Sequence, residues 1–519
     1  MRYQIDNFRI APQEEKQLAE LIKKRLRIKK FQFKILQKSI DARKKDAVVM
    51  VFRLMIETDE LCRGKNVSLY SDKEISLEYP QWQDSYPPVI VGFGPAGMLA
   101  ALYLARCGAK PVILERGSRI EKRKQEVEEF IRTRRLNPNS NVQFGEGGAG
   151  AFSDGKLVTN VKDPLISFIL REFYRHGAKE DILYEAQPHI GTDYLELVVK
   201  NIRKEIEDLG GVFYFNHTFL GAVRTNDVLE VEVDRFKEKL YTHHLLLGLG
   251  HSARDTIRRL YHLMHLEMEQ KAFSMGVRVE HPAWWINQCQ YGKFAEALPP
   301  AYYKLAAHAD NRGIYTFCMC PGGYVLASAS EEKTIVTNGM SNQRRDNFNS
   351  NSAILVEVKP QDYSCGSVLD GLDYQEKYER LAFEMSGDYR APANLMREFM
   401  QDKIAVGLRS VKTTYPHGLY FCNLEKCLPG YVIQGLKAGI QEFNHKLPGF
   451  YYEDAVLIGI ESRSSCPVRI LRNDRRQANV PGIYPIGEGA GYAGGITSAA
   501  LDGLKTAILI AKDKKEELK

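Results

Sequence analysis

The chain has 519 residues, 44% of them apolar and 26% charged, which is typical of a globular protein with more than one domain. No apolar run approaches the roughly 18 residues that cross a bilayer, and the opening Met-Arg-Tyr-Gln-Ile-Asp is not a secretory signal. Nine scattered cysteines, an odd number, do not form a secreted disulfide framework, so we expect a cytoplasmic protein without membrane attachment.

Positive charge is concentrated at the start of the chain. Residues 1–45 contain fourteen Lys and Arg against five Asp and Glu, a net charge of +9, whereas the whole chain has +7. A helical pattern over residues 12–26 is followed by strand patterns at 34–36 and 47–56, which predicts a small basic α+β module over residues 1–80. Such a surface could bind nucleic acid or an acidic protein. We favour a solvated helix face, because no aromatic stacking motif accompanies the charge.

A glycine fingerprint begins the next domain. The apolar strand at 89–91 leads into Gly92, where a tight turn requires a positive φ, and a helix beginning near Pro95 follows. Gly94 has no side chain, so a pyrophosphate can approach the backbone, and Gly97 allows the helix to pack closely on the strand. The first N–H groups and the positive dipole end of the helix would face the phosphates. The predicted contact residues of this segment are Gly92, Gly94, Pro95, Ala96 and Gly97.

An acidic residue ends the strand that follows the fingerprint helix. Glu115 lies about 20 positions after the fingerprint, where a carboxylate accepts hydrogen bonds from an adenosine ribose and disfavours the 2′-phosphate of NADP. Arg116 and Lys124 are candidates for neutralising phosphate charge, although both are equally well explained as exposed helix cations. A chance glycine turn in an ordinary βαβ unit does not account for strand, fingerprint, helix, second strand and acid in this order.

Two further glycine-rich segments lie in the first half of the chain. Residues 145–155 contain five glycines, among them Gly147 and Gly148, whose main-chain N–H groups could line a phosphate or a flat ligand. A purely structural Ω-loop is the alternative. The strand at 245–247 leads into Gly-Leu-Gly250-His-Ser-Ala, which could be a second nucleotide site for NADH. We assign Gly250 instead to the first nucleotide, because no second strand with an acidic end follows.

The pattern changes to irregular strands and loops between residues 268 and 454, which predicts an inserted α+β substrate domain. Cys318 and Cys320 lie two residues apart on a predicted strand and would face the same side. They could relay electrons, but we favour buried structural thiols, and no second cysteine pair completes a zinc site. The histidines considered for proton transfer, none of which is assigned a catalytic role, are His251, His281 and His417.

A last glycine-rich segment follows at residues 482–503 and leads into a helix over 497–512. In a flavoprotein such a segment returns the chain to the first sheet and binds the flavin part of the cofactor. The two glycine segments, roughly 400 residues apart, therefore predict one non-covalent FAD held at both ends. The predicted contacts in this segment are Gly487, Glu488, Gly495 and Ile496. The FAD-binding domain would then comprise residues 88–267 and 455–519.

Segments spread along nearly the whole chain carry a family resemblance. They are the Gly92 fingerprint and residues 39–45, 144–157, 188–193, 250–255, 276–282, 315–323, 337–341 and 461–470. On these segments the chain resembles the bacterial FAD-dependent dehydrogenases often labelled NAD(FAD)-utilising dehydrogenases. These are grouped with the glutathione-reductase-like flavoproteins of two dinucleotide-binding folds.

The resemblance implies a fold and a cofactor. The fold is α/β, with a Rossmann-like FAD/NAD(P)-binding domain, an inserted α+β substrate domain and a small N-terminal α+β module. The loop 145–155 would cover the pyrophosphate and the isoalloxazine, and Glu488 would bond a ribityl hydroxyl. The helix beginning near Ile496 would direct its positive end at the N1/C2=O edge of the flavin.

We therefore expect an FAD-dependent oxidoreductase that acts on a small-molecule substrate, with NADH or NADPH open as a transient electron donor. Two alternatives come from other classes. One is a flavin-dependent RNA-modifying or RNA-associated protein that docks through the basic module. The other is a flavin-binding sensor without turnover. The residue pattern does not identify the substrate, the catalytic residues or the oligomeric state.

Overall fold

The computed structural model describes residues 1–71, 75–237 and 239–516 of a mixed α/β chain. The first elements are β1 (Arg2–Ile10), α1 (Leu18–Leu26), β2 (Gln32–Asp41), β3 (Val49–Glu57) and β4 (Val67–Leu69). The four strands form an antiparallel sheet in the order β2-β3-β1-β4. Alternate residues of β3, such as Phe52 and Leu54, are buried with Ile22 of α1 in a small core, as the period of two in a strand dictates.

The basic module is attached to the rest of the chain through β2. The N–H of Lys38 donates to the carbonyl of Tyr184, and the N–H of Ala186 donates to the carbonyl of Lys38, both at 2.8 Å. The ammonium group of Lys38 lies 2.8 Å from the carboxylate of Glu15 and 3.1 Å from that of Glu185. Part of the basic charge is therefore used in ion pairs of the protein itself.

The remaining elements fall into two groups. In the first group strands alternate with helices: β5 (Val89–Val91), α2 (Pro95–Arg106), β6 (Val112–Glu115), α3 (Ile120–Thr133), α4 (Leu165–Arg175), α5 (Thr192–Asp208), β7 (Val212–Phe215), β8 (Phe219–Thr225), β9 (Val228–Val233), β10 (Leu240–Thr242), β11 (Leu245–Leu247) and α6 (Arg254–His262). The second group is richer in strands: β12 (Met268–Gln270), β13 (Phe273–Pro282), α7 (Ala283–Tyr291), β14 (Ala306–Ala309), β15 (Arg312–Cys320), β16 (Tyr324–Ala327), β17 (Thr337–Met340), β18 (Asn349–Val358), α8 (Asp370–Ser386), β19 (Ala391–Leu395), α9 (Met396–Met400), β20 (Leu419–Phe421), α10 (Gly430–Lys446), β21 (Val456–Glu461), β22 (Val468–Ile470), β23 (Ile483–Pro485) and α11 (Ile496–Glu516).

Five strands form an all-parallel sheet in the order β23-β11-β5-β6-β7. Its strands are apolar because both faces are covered. Ile90 and Ile113 pack with helices α2, α5 and α11, whereas Val89 and Val91 pack with the three-stranded antiparallel sheet β10-β9-β8. The result is three layers, and the carboxyl ends of β5, β6 and β11 lie at one edge. Open α/β sheets bind their ligands at this edge.

A second sheet has seven strands in the order β14-β15-β18-β13-β21-β19-β20, and among these neighbours only β19 and β20 are parallel. The predicted return to the FAD-binding domain at residue 455 comes too early, because β21 pairs with β13 in this second sheet and β22 pairs with β12. The sequence of β21, Val-Leu-Ile-Gly-Ile-Glu, is buried throughout. Its pattern is therefore the same as that of a strand in a covered parallel sheet.

The chain re-enters the parallel sheet at β23, and α11 then packs on α2. Gly503 of α11 lies against the main chain of α2: a Cβ added there would lie 2.0 Å from the carbonyl oxygen of Ala96. The two helices thus touch backbone to backbone at the first turn of α2. The last helix therefore supports the turn that begins the fingerprint helix.

Three features of the whole fold bear on function. Across residues 1–71, 75–237 and 239–516, no helix is both long and apolar enough to cross a bilayer. Over the same ranges, no three His, Cys, Asp or Glu side chains are arranged to hold a metal ion. All nine cysteines are free thiols.

We predict that Gly503→Ala destabilises the protein, although Gly→Ala in a helix is ordinarily stabilising by about 0.5–1 kcal/mol. The added methyl group must push α11 away from the carbonyl of Ala96, and overpacking of this kind costs about 1–3 kcal/mol. Gly430→Ala is the matched control, since a Cβ at this helical glycine meets no atom within 4 Å. Melting temperatures should rank Gly503→Ala below wild type and Gly430→Ala at or above it. Equal values for the two variants would contradict the described packing of α11 on α2.

Candidate functional site

A cavity of about 760 Å³ opens at the carboxyl edge of the parallel sheet, and Thr316, Phe317 and Cys318 of β15 contribute a wall from the second sheet. The predicted cofactor residues that line it are Gly92, Gly94, Pro95, Ala96, Glu115, Arg116, Gly148, Gly250, Glu488, Gly495 and Ile496. The predicted residues that do not are Gly97, Gly147 and Gly487. The fold thus brings both glycine segments to one cavity.

The fingerprint glycines have different physical reasons to be glycine. Gly92 has φ +91°, and a Cβ there would lie 2.6 Å from the carbonyl oxygen of Gly248. A Cβ on Gly97 would lie 2.0 Å from the carbonyl oxygen of Gly92, so α2 could not approach β5. Gly94 has φ −78°, which any residue can adopt, and its Cβ would approach no atom closer than the Cα of Gly148 at 3.8 Å. The fold therefore requires Gly92 and Gly97, whereas Gly94 keeps cavity space open.

Glu115 connects three segments around the cavity. The side chain is only 5% exposed. One carboxylate oxygen accepts a hydrogen bond from the N–H of Phe93 at 3.0 Å, and the other accepts from the N–H groups of Gly117 and Gly145 at 3.0 and 3.1 Å. A carboxylate oxygen has a second lone pair, so these bonds are compatible with a further bond to a ribose hydroxyl.

A buried arginine, which the sequence pattern did not single out, organises the glycine-rich loop. Arg123 of α3 is fully buried and donates hydrogen bonds of 2.7–3.2 Å to five main-chain carbonyls, those of residues 141, 142, 145, 146 and 148. Burial lowers its pKa to about 10, so Arg123 remains a cation at neutral pH. Its surroundings in the sequence, Glu-Lys-Arg-Lys-Gln, are typical of an exposed helix, and no spacing distinguishes it from its neighbours.

Gly147 and Gly487 lie behind the cavity wall, so the expectation of a direct contact with the cofactor is corrected. The N–H of Gly147 donates to the carbonyl of Phe93 at 2.9 Å, and φ of Gly147 is +84°. The N–H of Gly487 donates to the carboxylate of Asp502 at 2.8 Å, and φ of Gly487 is +79°. Both glycines are needed for the path of the backbone, which places the next residues at the cavity.

The two predicted phosphate cations have separate positions. Arg116 lines the cavity, but its guanidinium donates to the carboxylate of Asp255 at 2.9 Å and lies 4.4 Å from the centroid of the Phe144 ring. Lys124 is largely exposed outside the cavity wall, and its ammonium lies 3.7 Å from the carboxylate of Glu196. Arg116 therefore contributes to the wall, whereas Lys124 is a surface cation.

Of the three histidines considered from the sequence, the fold brings His251 to the cavity. Its Nδ1 lies 2.9 Å from a carboxylate oxygen of Glu488, and both residues line the wall. His281 and His417 are buried outside this wall, and burial lowers the pKa of each to about 4. The segment from Gly248 to Ala253 lines the same cavity as the fingerprint, which favours its assignment to the first nucleotide.

The glycine-rich loop also places charged side chains at the part of the cavity wall that the second sheet contributes. Asp154 and Lys156 line the cavity together with Cys318 and Tyr302. The fully buried Asp154 lies 3.0 Å from the ammonium of Lys156 and accepts a 2.9 Å hydrogen bond from Arg345. Sequence spacing missed this cluster because Tyr302, Cys318 and Arg345 are far from Asp154 and Lys156 along the chain.

These residues fit FAD. A Cβ on Gly94, Gly250, Gly494 or Gly495 would meet no atom closer than 3.8 Å, so the four glycines form a cradle that side chains would fill. Helices α2 and α11 begin at this cradle, where their first N–H groups and positive dipole ends favour an anion or an electron-rich ring edge. The acidic strand end suits the ribose, the start of α2 suits the pyrophosphate, and the start of α11 with the open glycine surface suits the flavin.

We predict that Gly94→Val folds but is purified without flavin, since its side chain would occupy the cradle while its φ and ψ remain accessible to valine. Gly97→Val is the contrasting variant, because its Cβ would clash with the main chain of Gly92 whether or not a ligand is bound. The measurements are flavin absorbance per chain and circular dichroism. Full flavin occupancy in Gly94→Val would refute the role of this glycine.

Glu146 is fully buried beside Arg123, which donates a hydrogen bond to its main-chain carbonyl. Burial raises the pKa of Glu146 to about 7, against the opposing effects of a hydrogen bond from the Ile120 N–H and the charge of Arg203. Because the folded-state pKa lies above the unfolded value, this group stabilises the fold fully below about pH 4.5, and that contribution is lost as the pH rises through about 7.

Glu146→Gln should therefore remove about 2–3 kcal/mol of pH dependence from the free energy of unfolding between pH 5 and pH 8. The control is Glu121→Gln: Glu121 pairs with the same Arg203 at 2.9 Å, but its pKa is lowered. Urea unfolding at the two pH values measures the difference. The same pH dependence in wild type and Glu146→Gln would show that Glu146 titrates normally.

Comparison with known proteins gives three kinds of similarity. A family model described as "FAD-dependent protein, C-terminal domain-like" matches residues 272–464. A Clostridium beijerinckii protein named "Uncharacterized protein" is 46% identical over 490 residues, which is 91% of each chain. The halogenase PltM in complex with phloroglucinol and FAD is 9% identical, with a TM-score of 0.38 over 84% of this chain and 71% of that chain. A flavoprotein/dehydrogenase from Cytophaga hutchinsonii is 12% identical, with a TM-score of 0.34 over 83% and 79%.

The 46% identity over 91% of each chain is sufficient to place this protein and the Clostridium beijerinckii protein in one family. The matching family model describes FAD-dependent proteins, which agrees with the dinucleotide cradle at the edge of the parallel sheet. The chain belongs to the family of FAD-dependent proteins, and FAD is its cofactor.

Proposed function

We propose that the protein is an FAD-dependent oxidoreductase that transfers electrons between a nicotinamide donor and a small-molecule substrate. The observation that carries this proposal is the composition of the cavity wall. One side has the cofactor residues of the parallel sheet, and the other has Thr316, Phe317 and Cys318 of the second sheet together with Tyr302, which precedes β14. A wall from a second domain next to the cofactor is suited to holding a substrate against the flavin.

The bound flavin supplies hydride or electron transfer through its N5 atom. The chain's own residues would hold it in place. Glu115 would accept from the ribose hydroxyls, the start of α2 would bind the pyrophosphate, and Glu488 would bond a ribityl hydroxyl. The start of α11 at Ile496 would direct its dipole toward the N1/C2=O edge, which stabilises negative charge there.

A positive charge in the wall suits the same chemistry. Lys271 is half-buried and lines the cavity, and no ion pair is found for it among residues 1–71, 75–237 and 239–516. Burial lowers its pKa from the usual range. A lysine in this environment can neutralise an anionic group of the cofactor or the substrate, and it can exchange a proton more readily than an exposed lysine.

The proposed donor would bind transiently in the open part of the cavity. Within the described ranges the fold has one all-parallel sheet, and the Gly248–Ala253 turn lies at the same cavity as the fingerprint. A glutathione-reductase-like arrangement with a second dinucleotide fold would need another such sheet. NADH or NADPH would therefore approach the flavin from the cavity mouth rather than from a domain of its own.

Anaerobic mixing of purified holoprotein with NADH, and separately with NADPH, tests the proposal. We expect one of the two to bleach the visible flavin absorbance within turnover times of about a second or less, as typical kcat values require. A fraction of metabolite extract that restores the absorbance would then contain the acceptor. Two results together would instead favour a flavin-binding sensor: neither nicotinamide reduces the holoprotein, and no extract fraction reoxidises it after reduction with dithionite.

A further inference from the structure

We infer that Cys318 and Cys320 form a redox-active dithiol–disulfide pair that exchanges two electrons with FAD in the cavity. The inference rests on the proposed redox function of the site, but not on the identity of the electron donor. The sequence spacing alone favoured buried structural thiols. The position of the pair, its backbone geometry and its charged neighbours point to the alternative.

The pair extends from the cavity surface into the protein. Cys318 lines the cavity and is partly accessible, whereas Cys320 is fully buried behind it. The thiol of Cys320 lies 3.2 Å from the carbonyl oxygen of Cys318. One sulfur is thus placed to meet the cofactor or a substrate, and the second is placed to resolve a bond that the first has formed.

The backbone departs from a regular strand at this pair. Cys318 has φ +43°, which is uncommon for a residue other than glycine, and the register with β18 shifts between Phe317 and Cys320. Irregularities of this kind re-aim side chains and are frequent beside active sites. Departure from full extension also brings two residues at i and i+2 closer to the Cα separation of about 4.4–6.8 Å that a disulfide requires.

Positive charge surrounds the two sulfurs. The ammonium of Lys156 lies 3.9 Å from the sulfur of Cys320, and Arg278 donates to the carbonyl oxygen of Cys318 at 3.2 Å. Arg278 is balanced by Glu461, which it contacts through two hydrogen bonds of 2.6 and 2.7 Å. Lys156 and the nearby Arg345 share the single carboxylate of Asp154. This buried group therefore has one cation more than it has carboxylates, and a thiolate would compensate it.

The thiols respond differently to this environment. The hydrogen bond with Cys320 lowers the pKa of Cys318, and the charges of Lys156 and Arg278 lower it further against the opposing effect of burial. Burial raises the pKa of Cys320, so the shared proton resides there. By contrast, burial raises the pKa of both Cys107 and Cys466 to about 11. A thiolate beside a protonated thiol is the reactive form of a dithiol.

The redox step balances in atoms and electrons. The S–H bond of Cys320 breaks and a sulfur–sulfur bond forms between Cys318 and Cys320. The two electrons and the one proton released pass to oxidised FAD, which becomes the anionic reduced form. In the opposite direction, the disulfide takes two electrons and one proton from reduced FAD and returns to a thiolate and a thiol.

An anaerobic dithionite titration of the holoprotein, after oxidation with diamide and its removal, tests the pair. Wild type should require about four electrons per chain, two for FAD and two for the disulfide, whereas Cys318→Ser/Cys320→Ser should require about two. Cys365→Ser is the matched control, since this thiol is exposed elsewhere, and it should still require about four. Flavin absorbance follows each titration.

Differential alkylation and mass spectrometry of wild type give a readout that needs no variant. The peptide with residues 318 and 320 should be protected from alkylation after diamide and alkylated at both sulfurs after dithionite. An uptake of about two electrons by wild type, with both thiols alkylated after diamide, would overturn the inference. Dithionite reduces the protein without a nicotinamide. If dithionite reduces the pair but neither NADH nor NADPH reduces the holoprotein, the proposed donor is wrong and the inference about the dithiol stands.

Discussion

Arg123 holds the glycine-rich loop in the position where it completes the FAD cavity. A cation without a direct carboxylate bond is costly to bury, and the five carbonyl acceptors around Arg123 offset that cost by replacing its water. In this position the loop presents the N–H of Gly145 to Glu115 and the N–H of Gly147 to the carbonyl of Phe93. Arg123 thereby couples three separate segments, and each of them borders the cavity.

The same loop connects the two chemical halves of the site. Its first part faces the fingerprint, where Gly148 approaches Gly94, and its second part supplies Asp154 and Lys156 to the wall from the second sheet. One continuous segment therefore contributes to the nucleotide end of the cavity and to the charge beside the two thiols. The second part also has anchors of its own, because Thr192 of α5 donates to the carbonyl of Ser153 and Thr497 of α11 donates to the carbonyl of Leu157.

The sequence predicted the features that depend on neighbouring residues and missed those that depend on residues distant along the chain. The fingerprint, Glu115 and the last glycine segment were located because local spacing determines a turn, a strand end or a helix start. Arg123 was missed because a helix exposes or buries a cation according to partners that spacing does not reveal. The cluster around Asp154 requires Arg345, which approaches only through the tertiary fold. The strand Val456–Glu461 was placed with the wrong sheet because an apolar strand suits any covered position.

The contact between Gly503 and Ala96 has a consequence for how the protein is made. The fingerprint helix leaves the ribosome roughly 400 residues before the helix that covers it. At about 5–20 residues per second, the part of its apolar surface that α11 covers waits roughly 20–80 s for that helix to be synthesised. During this interval the nascent chain has a nucleotide-binding turn but no completed flavin cradle. The flavin cradle can therefore be completed only after α11 has been synthesised.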